Sequence, residues 1–289
     1  MKYENIIYSH EHMSIDLSGI KKDDDCRLNV YQEALDEIKD LYNKGVRTII
    51  ECTNYGMGKD KEIIKKISDE TGIKFIDSTG YYKDPFMPSI CDTYSVEDFK
   101  KSLIPDLDAG VKIIGEIGTS LNVITDNERK LFEACSELQT EYDCVLITHT
   151  TLGTMALEQI EILKKHNVNF KKVIISHVAL KNDLEYIVDI LKNGCNVAFD
   201  TIGKLSYLSD DTRADFLVEL CNRGYENNIV MSMDITRKSH LKKNGGVGYA
   251  YLLDTFVPLL EKKGLSSEVI NKLLSKNFSR ILKEQKHGV

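Results

Sequence analysis

The stretch KGVRTIIEC at 44–52 carries the pattern on which the fold turns. An amphipathic segment ends at Lys44-Gly45, and a nearly continuous apolar and β-branched run, Val46–Cys52, follows. Glycine after a helix supplies the left-handed residue that ends it. An apolar run without alternation suits a parallel strand buried on both faces. The same joint recurs along the chain. Thr71-Gly72 precedes Ile73–Thr79, Ala109-Gly110 precedes Val111–Ile117, Asn193-Gly194 precedes Cys195–Phe199, and Arg223-Gly224 comes shortly before Ile229–Met233. Ile6–His12, Val145–Ile147 and Val173–Ser176 read as strands without the joint.

That makes eight strand candidates, whose ends recur about every 32 residues, the length of one βα unit. The segments between them read as helices. Val30–Asn43 carries Tyr31, Leu35, Ile38 and Tyr42 at helical spacing. Thr125 and Glu128 form a capping-box pattern, and Asn182 is placed to cap the segment carrying Leu184, Ile187, Val188 and Leu191. Tyr249–Lys263 and Ser267–Lys283 close the chain, and Pro258 is expected to kink or split the first. Eight βα repeats predict an α/β fold, the (β/α)8 TIM barrel. A doubly wound sheet would want a GxGxxG turn after the first strand, and none follows it.

Length and composition agree. The 289 residues suit one barrel or two ordinary domains. No linker or low-complexity stretch interrupts them, so a single domain over 1–289 is expected. Hydrophobic residues are 42% and charged residues 29%, ordinary for a globular chain. The net charge of −7 disfavours nucleic acid as a partner, because phosphate binding needs a basic field. No apolar run reaches the ~18 residues of a membrane span, and MKYENIIYSHEHMS lacks the apolar core of a signal peptide. Seven cysteines without a CxxC pair argue against a disulfide framework or a zinc knuckle. A cytoplasmic protein with reduced thiols is the expectation.

In a barrel, function sits at the C-terminal ends of the strands. The metal-capable residues fall there. The first strand ends in Ser9-His10-Glu11-His12, and alternation turns His10 and His12 to one face. The fourth ends in GEIGTS at 115–120, with Glu116 after an apolar run, where an unpaired carboxylate would be costly. Its alternative partner is Lys112, of the same strand parity. His149 ends the fifth strand and His177 the sixth. Asp200 ends the seventh, placed to accept from an imidazole N–H, and Asp234 ends the eighth. His166, His240 and His287 do not end strands. Four histidines and two carboxylates exceed one tetrahedral zinc and suit two metals that share a bridge. Each residue alone has an ordinary reading as a polar strand end, a hydrogen-bonded core histidine or a cap.

These residues resemble the amidohydrolase superfamily. More narrowly, the chain is similar to the phosphotriesterase-like family, in particular its branch of phosphotriesterase homology proteins. The matching strings are Ser9–His12, GEIGTS, THTTLGTMALEQ at 148–159, FDTIGK at 199–204, SMDITRKSHL at 232–241, GGVGY at 245–249 and KNFSR at 276–280. The resemblance implies that His10, His12 and Asp234 hold one divalent ion and His149 and His177 the other. The bridge in many members is a carboxylated lysine on the fourth strand. Here the equivalent position is Gly115, and Glu116 is the expected bridge, with Lys112, about 13 Å down the strand, as the alternative. Two departures stand out. Thr201 replaces a histidine that relays protons from the strand-eight aspartate, and Val178, Ala179 and Leu180 follow His177 where an aspartate is expected.

The resemblance implies a binuclear metal-dependent hydrolase of ester bonds. A metal-bridging hydroxide attacks, and Asp234 serves as catalytic base. Zn2+ is the default ion for histidine-rich sites, with Mn2+ or Co2+ as alternatives. A lactone is the first expectation for substrate, phosphorylated sugar lactones included, and then a carboxylate or phosphate ester. Tyr81, with Tyr82 beside it, and Lys204, Arg237 and Lys242 on the loops after strands seven and eight are the expected substrate-binding residues. The partner is a small molecule rather than nucleic acid or membrane, and a homodimer is compatible with this reading. A metal-dependent isomerase or decarboxylase, or a metal-binding barrel without turnover, are the rival readings.

Overall fold

A computed structural model describes residues 2–283, so His287 lies outside the described residues. Eight strands correspond to the eight apolar runs: β1 (Ile6–Glu11), β2 (Val46–Glu51), β3 (Lys74–Asp77), β4 (Ile113–Thr119), β5 (Val145–Thr150), β6 (Val173–Ile175), β7 (Asn196–Phe199) and β8 (Ile229–Met231). The described chain groups into two compact units. One comprises residues up to Thr53 with Met57–Ile76 and Phe199–Phe278. The other comprises Asn54–Gly56, Asp77–Ala198 and the residues from Ser279.

In the first unit β1 lies parallel to β2, with Ile6 opposite Val46 and Glu11 opposite Glu51. Four residues of β1, Tyr8 to Glu11, lie against three of β2, Ile49 to Glu51, so β1 bulges at Ser9–His10. On its other side β1 meets the β8 segment. Ser9 Oγ donates to the Met231 carbonyl at 3.0 Å, and the buried Glu11 carboxylate accepts from Ser232 Oγ (2.7 Å) and from the N–H groups of Met233 (2.8 Å) and Ile235 (3.0 Å). A short antiparallel ladder, Ser14–Asp16 with Arg27–Asn29, follows β1.

In the second unit β4, β5, β6 and β7 are parallel neighbours in that order. Here too the register slips. Ile114 pairs with Leu146 but Ile117 with Thr148, which leaves one extra residue at Gly115–Glu116. All seven residues of β4 are buried, as double-faced burial requires.

The helix joints behave as their glycines demand. Gly72 ends the helix Lys61–Thr71 at φ 73° and donates to the Ser68 carbonyl at 2.9 Å. Thr125 and Glu128 make the reciprocal capping box of the helix Asp126–Tyr142. Three helix expectations are corrected. Val30–Asn43 is two pieces, Val30–Glu33 and Leu35–Asn43, because Ala34 leaves the helical region at φ −146°, ψ 20°. Asn182 takes a left-handed conformation that ends the preceding turn, and Asp183 caps the next helix by accepting from Tyr186 N–H. Pro258 sits in the first turn of Val257–Lys262, and a widened π turn, Leu252–Phe256, carries the chain into it without a break. No helix among the described residues is long and apolar enough to cross a membrane.

Candidate functional site

Both bulges act on the residues that follow them. In the first unit His10 and His12 turn their Nε2 atoms toward Asp234 Oδ1, at 3.9 and 3.3 Å. These three residues are buried and their ligand atoms lie within 4.8 Å of one another. Each imidazole is held by its other nitrogen. His10 Nδ1 lies 3.2 Å from Asp200 Oδ2, and His12 Nδ1 is 2.8 Å from Thr53 Oγ1. An orienting partner on the far nitrogen is how metal-ligating histidines are aimed. Asp200 takes the supporting place its position predicts. Thr53, the other support, carried no sequence signal, because a threonine after a strand is ordinary. Asp234 itself sits at φ 51°, a left-handed conformation that aspartate tolerates better than most residues.

In the second unit Glu116, His149 and His177 form an equivalent group, again within 4.8 Å. Glu116 Oε2 is 3.1 Å from His149 Nδ1 and 3.4 Å from His177 Nε2. Gly115, at φ 134°, makes this possible, since any Cβ there would run into the carbonyl oxygen of Ile147. A side chain cannot start from position 115, and the extra residue of the bulge presents the neighbouring carboxylate instead. Asn54 Nδ2 donates to the Glu116 carbonyl at 2.6 Å and steadies the bulge. Lys112 is exposed, ahead of β4. The parity that linked it to Glu116 fails because the bulge breaks the alternation. Burial lowers the His149 pKa to about 4, against the opposing pull of Glu116, so its imidazole is neutral and open to a cation near pH 7.

Imidazoles and carboxylates, largely buried and convergent, are the donor chemistry of a divalent transition-metal site. Both groups fit such an ion.

A phosphotriesterase family model matches residues 5–282. The chain belongs to the phosphotriesterase family. It is 41% identical over 279 residues to the phosphotriesterase homology protein of Escherichia coli, covering 94% of this chain and 96% of that one. A crystal structure under that name, from E. coli and complexed with phosphate in the active site, superposes with a TM-score of 0.93 over 96% of this chain and 98% of that one, at 40% identity. An N-acetyltaurine hydrolase of Dictyostelium discoideum is 32% identical over 89% of this chain and 74% of its own length. A lactonase of Listeria monocytogenes superposes with a TM-score of 0.91 over 99% of this chain and 96% of that one, at 25% identity. The fold class is the (β/α)8 barrel of the phosphotriesterase family.

The residues expected to meet substrate in this phosphotriesterase-family chain fare unevenly. Tyr81 is buried in an aromatic cluster with Tyr55, Tyr94 and Phe99, its ring 5.4–6.4 Å from theirs. Burial raises its hydroxyl to about 12. Tyr82 instead comes to the metal-capable group, its hydroxyl 3.2 Å from His149 Nε2. Lys204, Arg237 and His240 line a cavity of about 430 Å³ together with Tyr207 and Ser239. Arg237 is engaged there by Asp23 (2.9 Å) and Asp25 (3.5 Å). Lys242 lies outside that lining, its stem against Gly248. Lys204 forms an ion pair with Asp234 Oδ2.

Proposed function

We propose that this chain is a metal-dependent hydrolase that cleaves an ester bond in a small molecule. The observation that carries the reading is the pair of buried groups, His10/His12/Asp234 and Glu116/His149/His177, each with ligand atoms within 4.8 Å. Each would hold one divalent ion, with Zn2+ the first choice and Mn2+ or Co2+ the alternatives, and Glu116 would be the carboxylate ligand of the second group. A divalent ion held there would supply Lewis acidity, a water of lowered pKa and a polarised carbonyl or phosphoryl oxygen. Asp200 and Thr53 hold His10 and His12 in orientation. Asp234 is the carboxylate placed to take the proton released from the water. The Tyr82 hydroxyl, beside His149, is placed to orient a substrate oxygen.

The substrate class rests on the relatives. A lactonase and an amide-cleaving N-acetyltaurine hydrolase bracket it, and the phosphate in the E. coli structure keeps phosphorylated lactones among the first choices. The engagement of Arg237 by two carboxylates leaves Lys204 as the cavity cation nearest the reacting groups. The reading takes the chain as a single domain working in the cytoplasm, alone or as a homodimer, without nucleic acid or membrane.

The test is a metal analysis of the purified protein followed by a panel of lactones, phosphorylated lactones, carboxylate esters, N-acyl amides and aryl phosphotriesters in 18O-labelled water. Metal-dependent turnover with 18O in the acid product supports the reading. Metal-dependent conversion of substrate without 18O uptake would favour an isomerase or decarboxylase instead.

A further inference from the structure

The loop after β7 spans the distance from the strand to the helix Asp210–Asn222, and it is held with unusual care. Arg213, on that helix, has a fully buried side chain. Its guanidinium donates to the carbonyls of Lys204 (3.2 Å) and Leu208 (2.5 Å) and to Asp210 Oδ1 (2.8 Å). The Asp210 carboxylate in turn accepts from Gly203 N–H at 3.1 and 3.2 Å. Burying a guanidinium is costly unless its donors are matched, and here both Nη groups are matched while Nε is not. Here they fix the backbone on both sides of Lys204. The ammonium of Lys204 lies on Asp234 Oδ2, while Oδ1 of the same carboxylate faces the Nε2 atoms of His12 and His10. The lysine side chain is 10% exposed, so water weakens this pair little.

We propose that Lys204 is a positioning residue for Asp234. It takes one carboxylate oxygen and so restricts Asp234 to one oxygen toward an ion held with His10 and His12, and the buried Arg213 keeps Lys204 in place through the loop. The inference rests on the reading of Asp234 as a metal ligand. Its consequence is specific: the lysine holds this site's affinity for a cation below what its ligands alone would give, because it competes for the carboxylate and repels the ion.

The experiment is a zinc titration against a chelating dye. It uses the full chain in a His149→Asn background, so that the second group does not contribute. Lys204→Met should tighten zinc at the remaining site at least fivefold, while Lys204→Arg stays within twofold of the parent. Arg213→Met should move affinity in the same direction as Lys204→Met, and the double variant no further than Lys204→Met alone. Weaker or unchanged zinc binding in Lys204→Met would overturn the inference, as would additive effects in the double variant. Should Arg213→Met fail to fold, the two Lys204 variants decide by themselves. A folded wild-type chain that binds no zinc would instead overturn the ligand reading on which all of this rests.

Discussion

Gly115 and Glu116 together set what the proposed site can use as its bridging carboxylate. Because no side chain can leave position 115 and Lys112 is exposed, the proposed site has no lysine placed for carboxylation as its bridge. Reconstitution of metal-free protein should therefore be independent of added bicarbonate. Glu116→Gln keeps the shape but loses the charge, and zinc content should fall by about one ion per chain or more, while Lys112→Met leaves it intact. Metal analysis after dialysis reads both. A second consequence is pH-dependent. His149 and His240 both have pKa values lowered to about 4 from 6.5, chiefly by burial and, for His240, next by Lys204. Between those values the unfolded chain binds protons that the folded chain refuses, so stability falls as the pH drops from about 6.5 toward 4. Urea midpoints of the metal-free protein should show this decline, and His240→Gln should flatten it. At this scale the sequence was informative wherever a residue type was rare at a strand end, as for His10, His12, His149, His177 and Asp200. It was silent where direction mattered. Tyr81 and Tyr82 are adjacent and alike, and only the packing of Tyr55, Tyr94 and Phe99 decides which one turns away.

The elements show why the candidate site depends on irregular backbone. Regular alternation would carry each strand straight through to its loop. The bulges in β1 and β4 insert one residue each just before the ligands and change which side chain faces which neighbour. Gly115→Ala should thus be more damaging than its size implies, costing about 3 kcal/mol or more through the Ile147 contact and the positive φ, with loss of zinc in parallel. Chemical denaturation and metal analysis on the same preparation test the two together. The helix Asp126–Tyr142 offers a milder case. Thr125 caps it, and the buried Glu128 also accepts from Ser120 Oγ at 2.6 Å and Asp84 N–H at 3.2 Å. Thr125→Ala should cost about 1–2 kcal/mol, the upper part of the capping range, because the same network anchors the loop after β4. Strand runs and the capping box were legible because burial and local hydrogen bonding leave strong residue preferences. Bulges were not, since an extra residue within an apolar run changes no periodicity when both faces are buried, and the break at Ala34 falls on a residue type that favours helix.

For the molecule as a whole, ligand binding and folding are linked. An ion that binds only the folded chain, at about 100 times its Kd, adds about 2.7 kcal/mol, which for a chain of this size is a rise in Tm of about 5 °C. Zinc should produce such a rise in the wild type and none in a variant that lacks both His10 and His149. If the chain is a single domain, calorimetry should show one unfolding transition; two resolved transitions would separate the compact units. One of those units joins the segments up to Ile76 to Phe199–Phe278, with most of the other unit between them in sequence. That has a consequence for synthesis. The buried carboxylate of Glu11 has its partner Ser232 221 residues further on, at the strand that β1 needs as a neighbour. At roughly 5–20 residues per second, Ile6–Glu11 can pair with β2 early but waits on the order of 10–45 s for the neighbour on its other edge. The central segment Asp77–Ala198 can meanwhile close on its own contacts. The first histidines to be made wait for an aspartate near the end of the same unit, so until then the amino-terminal strand has only β2 to pair with.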